Sequence, residues 1–277
     1  MIAILGGLGA ACCWTITTLT ASRSSRLIGP AQTLAWVMLI GFVVVVPFAL
    51  ASASPVGEVR SWLVLAGAGN VIGLLLEYQA VRIGKVGVVA PIASTEGAVT
   101  AVIAAAAGEP TTAGTGLCLA VIATGVVLAA MEGDDGPRAV RTAPSVALSI
   151  GAAVCFGVGL YAAGRVSGDV DVAWLVLPAR LLGVLVLTAP LAVARRIRLT
   201  RPTAPLVTAA GLAEVGGYWS FVVGARHSIG VASVLGSQFA AFSAIAAHFL
   251  FGERLRRIQV AGVAAIVVGV SALAIVG

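Results

Sequence analysis

Four charged side chains stand where so apolar a chain has least use for them. Glu77, Glu96, Arg180 and Glu214 each lie inside a long hydrophobic run. An ionisable group at mid-bilayer depth costs at least about 2.5–3.5 kcal/mol to insert, so each is a candidate for function. A carboxylate held there can exchange a proton for a cationic or zwitterionic molecule, because either one neutralises the buried charge. Arg180 can hold a carboxylate of such a molecule, or it can neutralise one of the acids. The plainer alternative is an Arg–Glu pair that locks two helices together. Helical spacing places Asn70, Gly73 and Glu77 on one face, Glu96 and Thr100 on another, and Gly211, Glu214, Tyr218 and Phe221 on a third. Trp14, Tyr78, Tyr161, Tyr218 and Trp219 can stack on a cation or a ring, or simply pack. His248 stands near a segment end and reads as a packing or capping residue.

The elements that must position these groups are membrane helices. Of 277 residues 60% are hydrophobic and 10% charged, with mean hydropathy +1.08, more apolar surface than a water-soluble domain can cover. Ten runs can each cross a bilayer: 2–21, 31–51, 61–81, 86–107, 113–131, 145–164, 172–194, 204–225, 230–250 and 257–276. The expected fold is therefore an all-α integral membrane protein of ten transmembrane helices. Little remains between the runs, which excludes a soluble catalytic or nucleic-acid-binding domain. Cys12, Cys13, Cys118 and Cys155 all fall inside helices without metal-ligand spacing and read as small buried hydrophobes. No metal or cofactor motif is present. HExxH, Asp-rich pairs, Ser-Lys or Cys-His constellations and GxxxxGK[ST] are all missing, so no enzyme and no ATP-driven pump is expected.

The chain is written twice. The stretch from Val86 to Glu109 returns as Ile229 to Glu253; both open on an apolar residue followed by Gly and close on Gly-Glu. Gly9 to Arg23 lies against Gly151 to Arg165, Pro47 against Pro190, and Gly87 against Gly230. The polar stretch 132–144 divides the chain into a first repeat, 1–131, and a second, 145–277. Gln238 and Phe239 fall where the second repeat has its counterpart of Glu96, so one half offers an acid and the other an amide and a ring. Five crossings per repeat is an odd number, which predicts that the second copy is inverted. Loop charge predicts the same. Odd-numbered loops hold thirteen of the cations, among them Arg195, Arg196, Arg198 and Arg201, and even-numbered loops hold Arg60, Arg165 and Arg226. The formal charge of +6 is thus explained by orientation, with odd loops in the cytoplasm and both termini outside.

Gly252-Glu253-Arg254, its relative Gly108-Glu109-Pro110, the Gly-patterned helices after each, Trp14 in the first helix and Arg180 in the seventh together resemble EamA domains of the drug/metabolite transporter superfamily. The resemblance spans nearly the whole chain and implies two five-helix repeats and export of amino acids, nucleosides, metabolites or drugs, with some relatives importing. The chain departs from that family in lacking an Arg early in segment two, where Trp36-Val37 stand. The family's larger members are drawn with both termini in the cytoplasm, opposite to the reading of the arginines.

The expected function is secondary active transport by alternating access, exporting a small-molecule substrate across a bacterial cytoplasmic membrane with proton coupling. Glu96, Glu214, Glu77 and Arg180 are the expected coupling or binding groups. Trp14, Asn70, Tyr78, Tyr218, Trp219, Gln238 and Phe239 are the expected pocket. Nutrient uptake is the alternative within the class, and a membrane assembly protein the alternative outside it. Glu109 and Glu253 are expected to share a structural job at their loops, such as holding the N-terminus of the next helix. The small residues of segments five, six and ten are expected to bring helices close, with a homodimer face left open.

Overall fold

The computed structural model describes residues 1–52, 59–108, 112–130, 142–166, 170–227, 235, 236 and 238–276, and everything regular among them is helical. The helices are α1 (Ile2–Ile28), α2 (Pro30–Leu50), α3 (Val59–Ile83), α4 (Val86–Ala93), α5 (Glu96–Ala106), α6 (Ala113–Ala130), α7 (Thr142–Gly164) and α8 (Val172–Gly183). A π-helical turn, Val184–Thr188, joins α8 to α9 (Ala189–Val193), and α10 (Ala204–Ala225), α11 (Phe239–Phe251) and α12 (Arg257–Val276) complete the bundle. Seven helical stretches are long and apolar enough to span a bilayer. Three more apolar helices, Ala113–Ala129, Phe239–Phe251 and Arg257–Leu273, are shorter.

Large apolar side chains cover the outside, with Leu5, Val43, Leu117 and Phe249 among the exposed ones, as lipid contact requires. Small and hydroxyl-bearing residues fill the inside. Thr17, Thr18, Ser22, Ser24 and Ser25 of α1 are all buried. Several such hydroxyls are satisfied by the preceding turn: Thr17 Oγ1 donates to the Cys13 carbonyl at 3.2 Å and Ser24 Oγ to the Thr20 carbonyl at 2.9 Å. Ser22 Oγ and Ser25 Oγ have no partner among the described residues. The first segment runs on to Ile28 rather than ending at 21, and Arg23 and Arg26 ride on its last turns.

Helix pairing follows a pattern. α1 packs against α10 and α3 against α7; α2 lies on α8 and α10; α4 meets α11; α6 meets α12. The α6–α12 seam is a close one. A Cβ built on Gly262 would stand 2.4 Å from the Ala129 amide nitrogen, and one on Gly125 would stand 2.8 Å from the Gly262 carbonyl oxygen. Only glycine admits that approach, so these two small residues of segments five and ten are spent within the chain.

Two further expectations need correction. Segment four is not one helix: it breaks at Ser94 and Thr95 into α4 and α5. Each of those side chains bonds back to the preceding turn, Ser94 Oγ to the Pro91 carbonyl at 2.8 Å and Thr95 Oγ1 to the Ile92 carbonyl at 2.7 Å. They compete with the backbone ladder just after a proline, which is where a helix interrupts. The stretch 132–144 is also shorter as a linker, because α7 begins at Thr142 with Pro144 in its first turn, where the missing N–H costs nothing. The remainder of that linker, Glu109 and 229–234 lie outside the described residues.

Candidate functional site

The acids of three separate helices converge. Glu77 of α3 and Glu214 of α10 are buried, and Glu96 opens α5 at the break, half-buried. All three carboxylates are within electrostatic reach of one another. One of them has a guanidinium partner. Arg180 of α8, 1% exposed, donates from Nη2 to Glu214 Oε1 at 3.4 Å. Its second nitrogen, Nη1, lies 3.6 Å from Met38 Sδ. Its Nε has no partner among the described residues and faces α2, where a Cβ built on Gly41 would stand 3.1 Å away. Arg180 is thus clamped between α2 and α10, with its charge turned to Glu214.

Glu77 has a weaker partner. Thr18 Oγ1 of α1 donates to its Oε1 at 3.4 Å, a long bond. For Glu96, no ion pair or hydrogen bond to its carboxylate is found among the described residues. The local fold explains its position. Thr100, one turn on, donates to both the Glu96 carbonyl and the Gly157 carbonyl at 3.0 Å, pinning the start of α5 to α7. The Glu77 and Glu96 carboxyl groups therefore have no ion pair among the described residues.

Tyrosines border the acids. Tyr78, fully buried beside Leu34, Val37 and Met38, lies within electrostatic reach of Glu77, Glu214 and Arg180. Its hydroxyl is without a partner among the described residues, an expensive state for a buried polar atom that a bound molecule would relieve. Tyr218 reaches Glu96, Glu214 and Arg180 in the same sense.

The other expected pocket residues scatter. Trp14 forms an aromatic box with Phe221 and Phe239, each ring centroid 5.9 Å from its own. Trp219 instead meets exposed Phe48 at 5.2 Å, on the side of the bundle where Val45, Ala49 and Val172 cluster. Gln238 donates from Nε2 to Ser271 Oγ at 2.7 Å, a tie from α11 to α12. Asn70 is half-buried on α3 with its Oδ1 unpartnered among the described residues. Thr18 and Met38 went unseen in the sequence, since a threonine and a methionine in a membrane helix carry no signal of their own.

The model of the EamA-like transporter family matches residues 1–131 and 143–275. Among solved structures, a protein described only by having a crystal structure aligns with TM-score 0.64 at 18% identity, over 98% of this chain and 96% of that one. At such identity the likeness shows the fold alone. No curated protein matches.

Proposed function

The chain belongs to the EamA-like transporter family, and from that premise we propose that it is a secondary transporter exporting positively charged or zwitterionic small molecules in exchange for protons. The cargo class covers small metabolites, amino-acid-like compounds and drugs that carry an amine. One observation carries this reading: the carboxyl groups of Glu77, Glu96 and Glu214 lie within electrostatic reach of one another, and the Arg180 guanidinium is already engaged by Glu214. Carboxylates without a cation in a low-dielectric interior need either a proton or a cationic guest, and the two then compete for one place.

The reading includes ten crossings as two inverted five-helix repeats, 1–131 and 145–277, working by alternating access in a bacterial cytoplasmic membrane. Helix pairing supports it. Exchanging each helix for its repeat counterpart turns the α1–α10 pair into α7–α3, and α2–α10 into α8–α3, and all four contacts exist. The α2–α8, α4–α11 and α6–α12 pairs map onto themselves, as contacts across a two-fold axis do.

The test compares the spent media of cells expressing wild type and Glu96→Gln by untargeted mass spectrometry. A compound accumulating outside with wild type but not with the variant is expected. Equal release by both proteins would leave export standing and reduce Glu96 to a structural acid. Unchanged medium from well-expressed wild type would refute export.

A further inference from the structure

We propose that the Glu253 carboxylate is the latch holding one end of the bundle shut, the end that carries most of the chain's arginines. The first two amides of α4 have no acceptor within their own helix, and Lys85 at its N-cap supplies no side-chain cap. A residue 167 positions away does. Val86 N–H donates to Glu253 Oε1 and Gly87 N–H to Oε2, both at 3.0 Å. One carboxylate thus takes both amides at the positive end of the helix.

The turn that delivers it is built by the Gly-Glu pair. Gly252 ends α11 in the left-handed conformation, φ 65°, which glycine adopts without strain. The Glu253 amide then bonds back to the Ala247 carbonyl at 3.3 Å, and the side chain swings across to α4. Flanking bonds hold the assembly from three sides. Arg26, at the end of α1, has Nη2 3.8 Å from Glu253 Oε1 and donates from the same nitrogen to the Val81 and Gly84 carbonyls at 3.0 and 3.1 Å. Lys85 Nζ donates to the Arg254 carbonyl at 2.8 Å, and His248 Nδ1 lies 2.8 Å from the Glu253 carbonyl. Beneath this layer Val86, Val89, Ala90, Phe239 and Ala247 form a buried apolar seal between α4 and α11.

A helix cap ordinarily comes from its own chain neighbourhood. Here it comes from the other half of the chain and falls on the helix whose continuation carries Glu96. Any separation of α4 from α11 at this end breaks both amide bonds at once. The latch takes its purpose from the alternating-access reading, but the test reads solvent access and not flux, so either can fail without the other.

The experiment uses purified full-length protein with its native cysteines replaced. The reporter is Ala247→Cys, fully buried at the seal, and the control is Ala152→Cys, fully buried on α7. Labelling by a water-soluble maleimide is followed with and without Glu253→Ala. The expected result is labelling at least about tenfold faster at the reporter, equivalent to about 1.4 kcal/mol, with the control unchanged. Glu253→Gln keeps one acceptor and loses the charge, so it is expected to fall between. Unchanged reporter labelling in Glu253→Ala overturns the proposal. Should Glu253→Ala raise both sites together, Glu253→Gln decides: a rise confined to the reporter supports the latch, and wild-type labelling or a rise at both sites overturns it.

Discussion

Replacing Arg180 distinguishes a helix tie from a substrate clamp. Its Nη2 stands 3.4 Å from Glu214 Oε1 with both side chains buried. At an effective dielectric of about 20, two unit charges at that separation attract by roughly 5 kcal/mol. Much of this offsets the cost of removing both ions from water, so the intact pair contributes little net stability. Loss of one partner is different, because it leaves a lone buried charge, at a cost of about 3–5 kcal/mol. Arg180→Met fills nearly the same space beside Met38 and is expected to lose that amount. Glu214→Gln, which strands the guanidinium, is expected to lose a comparable amount. The double variant strands no charge and should be more stable than either single one, giving a coupling energy larger than either single loss, at least about 3–5 kcal/mol. The assay is a double-mutant cycle by denaturant titration in mixed micelles, followed by circular dichroism. Losses that add to within about 0.5 kcal/mol would refute the pairing. A transport defect in Arg180→Met that the second substitution leaves unrepaired, with stability unchanged, would make Arg180 a substrate ligand instead.

Further expectations follow from packing and loops. Gly262→Ala puts a methyl 2.4 Å from the Ala129 amide nitrogen and is expected to cost about 1–3 kcal/mol, seen as a lowered melting temperature. Gly97→Ala, with nothing within 4 Å of its new methyl, is expected to stabilise by about 0.5–1 kcal/mol; a loss there would contradict the described packing of α5. The arginine-bearing loop after α9 is held by Trp36, whose Nε1 donates to the Arg198 carbonyl at 2.9 Å, and by Gln32, which bonds both the Arg196 carbonyl and the Arg198 amide at 2.9 Å. Gln32→Ala with Trp36→Phe should speed tryptic cleavage at Arg198 severalfold, and an unchanged rate would show the loop to be held otherwise. A cysteine placed at Leu199 should be shielded from impermeant thiol reagents in intact cells; ready labelling would reverse the proposed orientation.

Much of this was legible before any coordinates, and the reasons for the gaps are physical. Among the described residues hydropathy marked every apolar helix, because membrane insertion depends on composition summed over a whole segment. It could not mark the break at Ser94 and Thr95, since two hydroxyls bonded to their own turn alter the ladder without altering the hydropathy. Glu96 therefore read as a mid-helix residue although it opens α5. Arg180 was legible as a buried cation, but nothing in the chain selects among Glu77, Glu96 and Glu214; the choice of Glu214 is made by how α8 and α10 face each other. The Gly-Glu pair was legible as a helix-capping device. Its expected target, the next helix, was wrong: the left-handed turn at Gly252 brings the Glu253 carboxylate to α4, which begins 167 residues earlier. Trp219 shows the opposite failure: it follows Tyr218 directly, so helical geometry turns it away from the acids towards Phe48.

The interruption of segment four makes α5 a short lever. Its 11 residues span about 16 Å at 1.5 Å per residue. A swing of about 10 degrees at Ser94 and Thr95 would carry its far end by roughly 3 Å, about the width of a water molecule, while moving Glu96 at the fulcrum hardly at all. An unbroken segment would have to tilt along its whole length, dragging α4 off α11, to achieve the same displacement. Placing the acid at the pivot lets the surroundings of the carboxylate change while its own position stays fixed, which is the geometry a device needs if one site is to meet two sides of a membrane in turn.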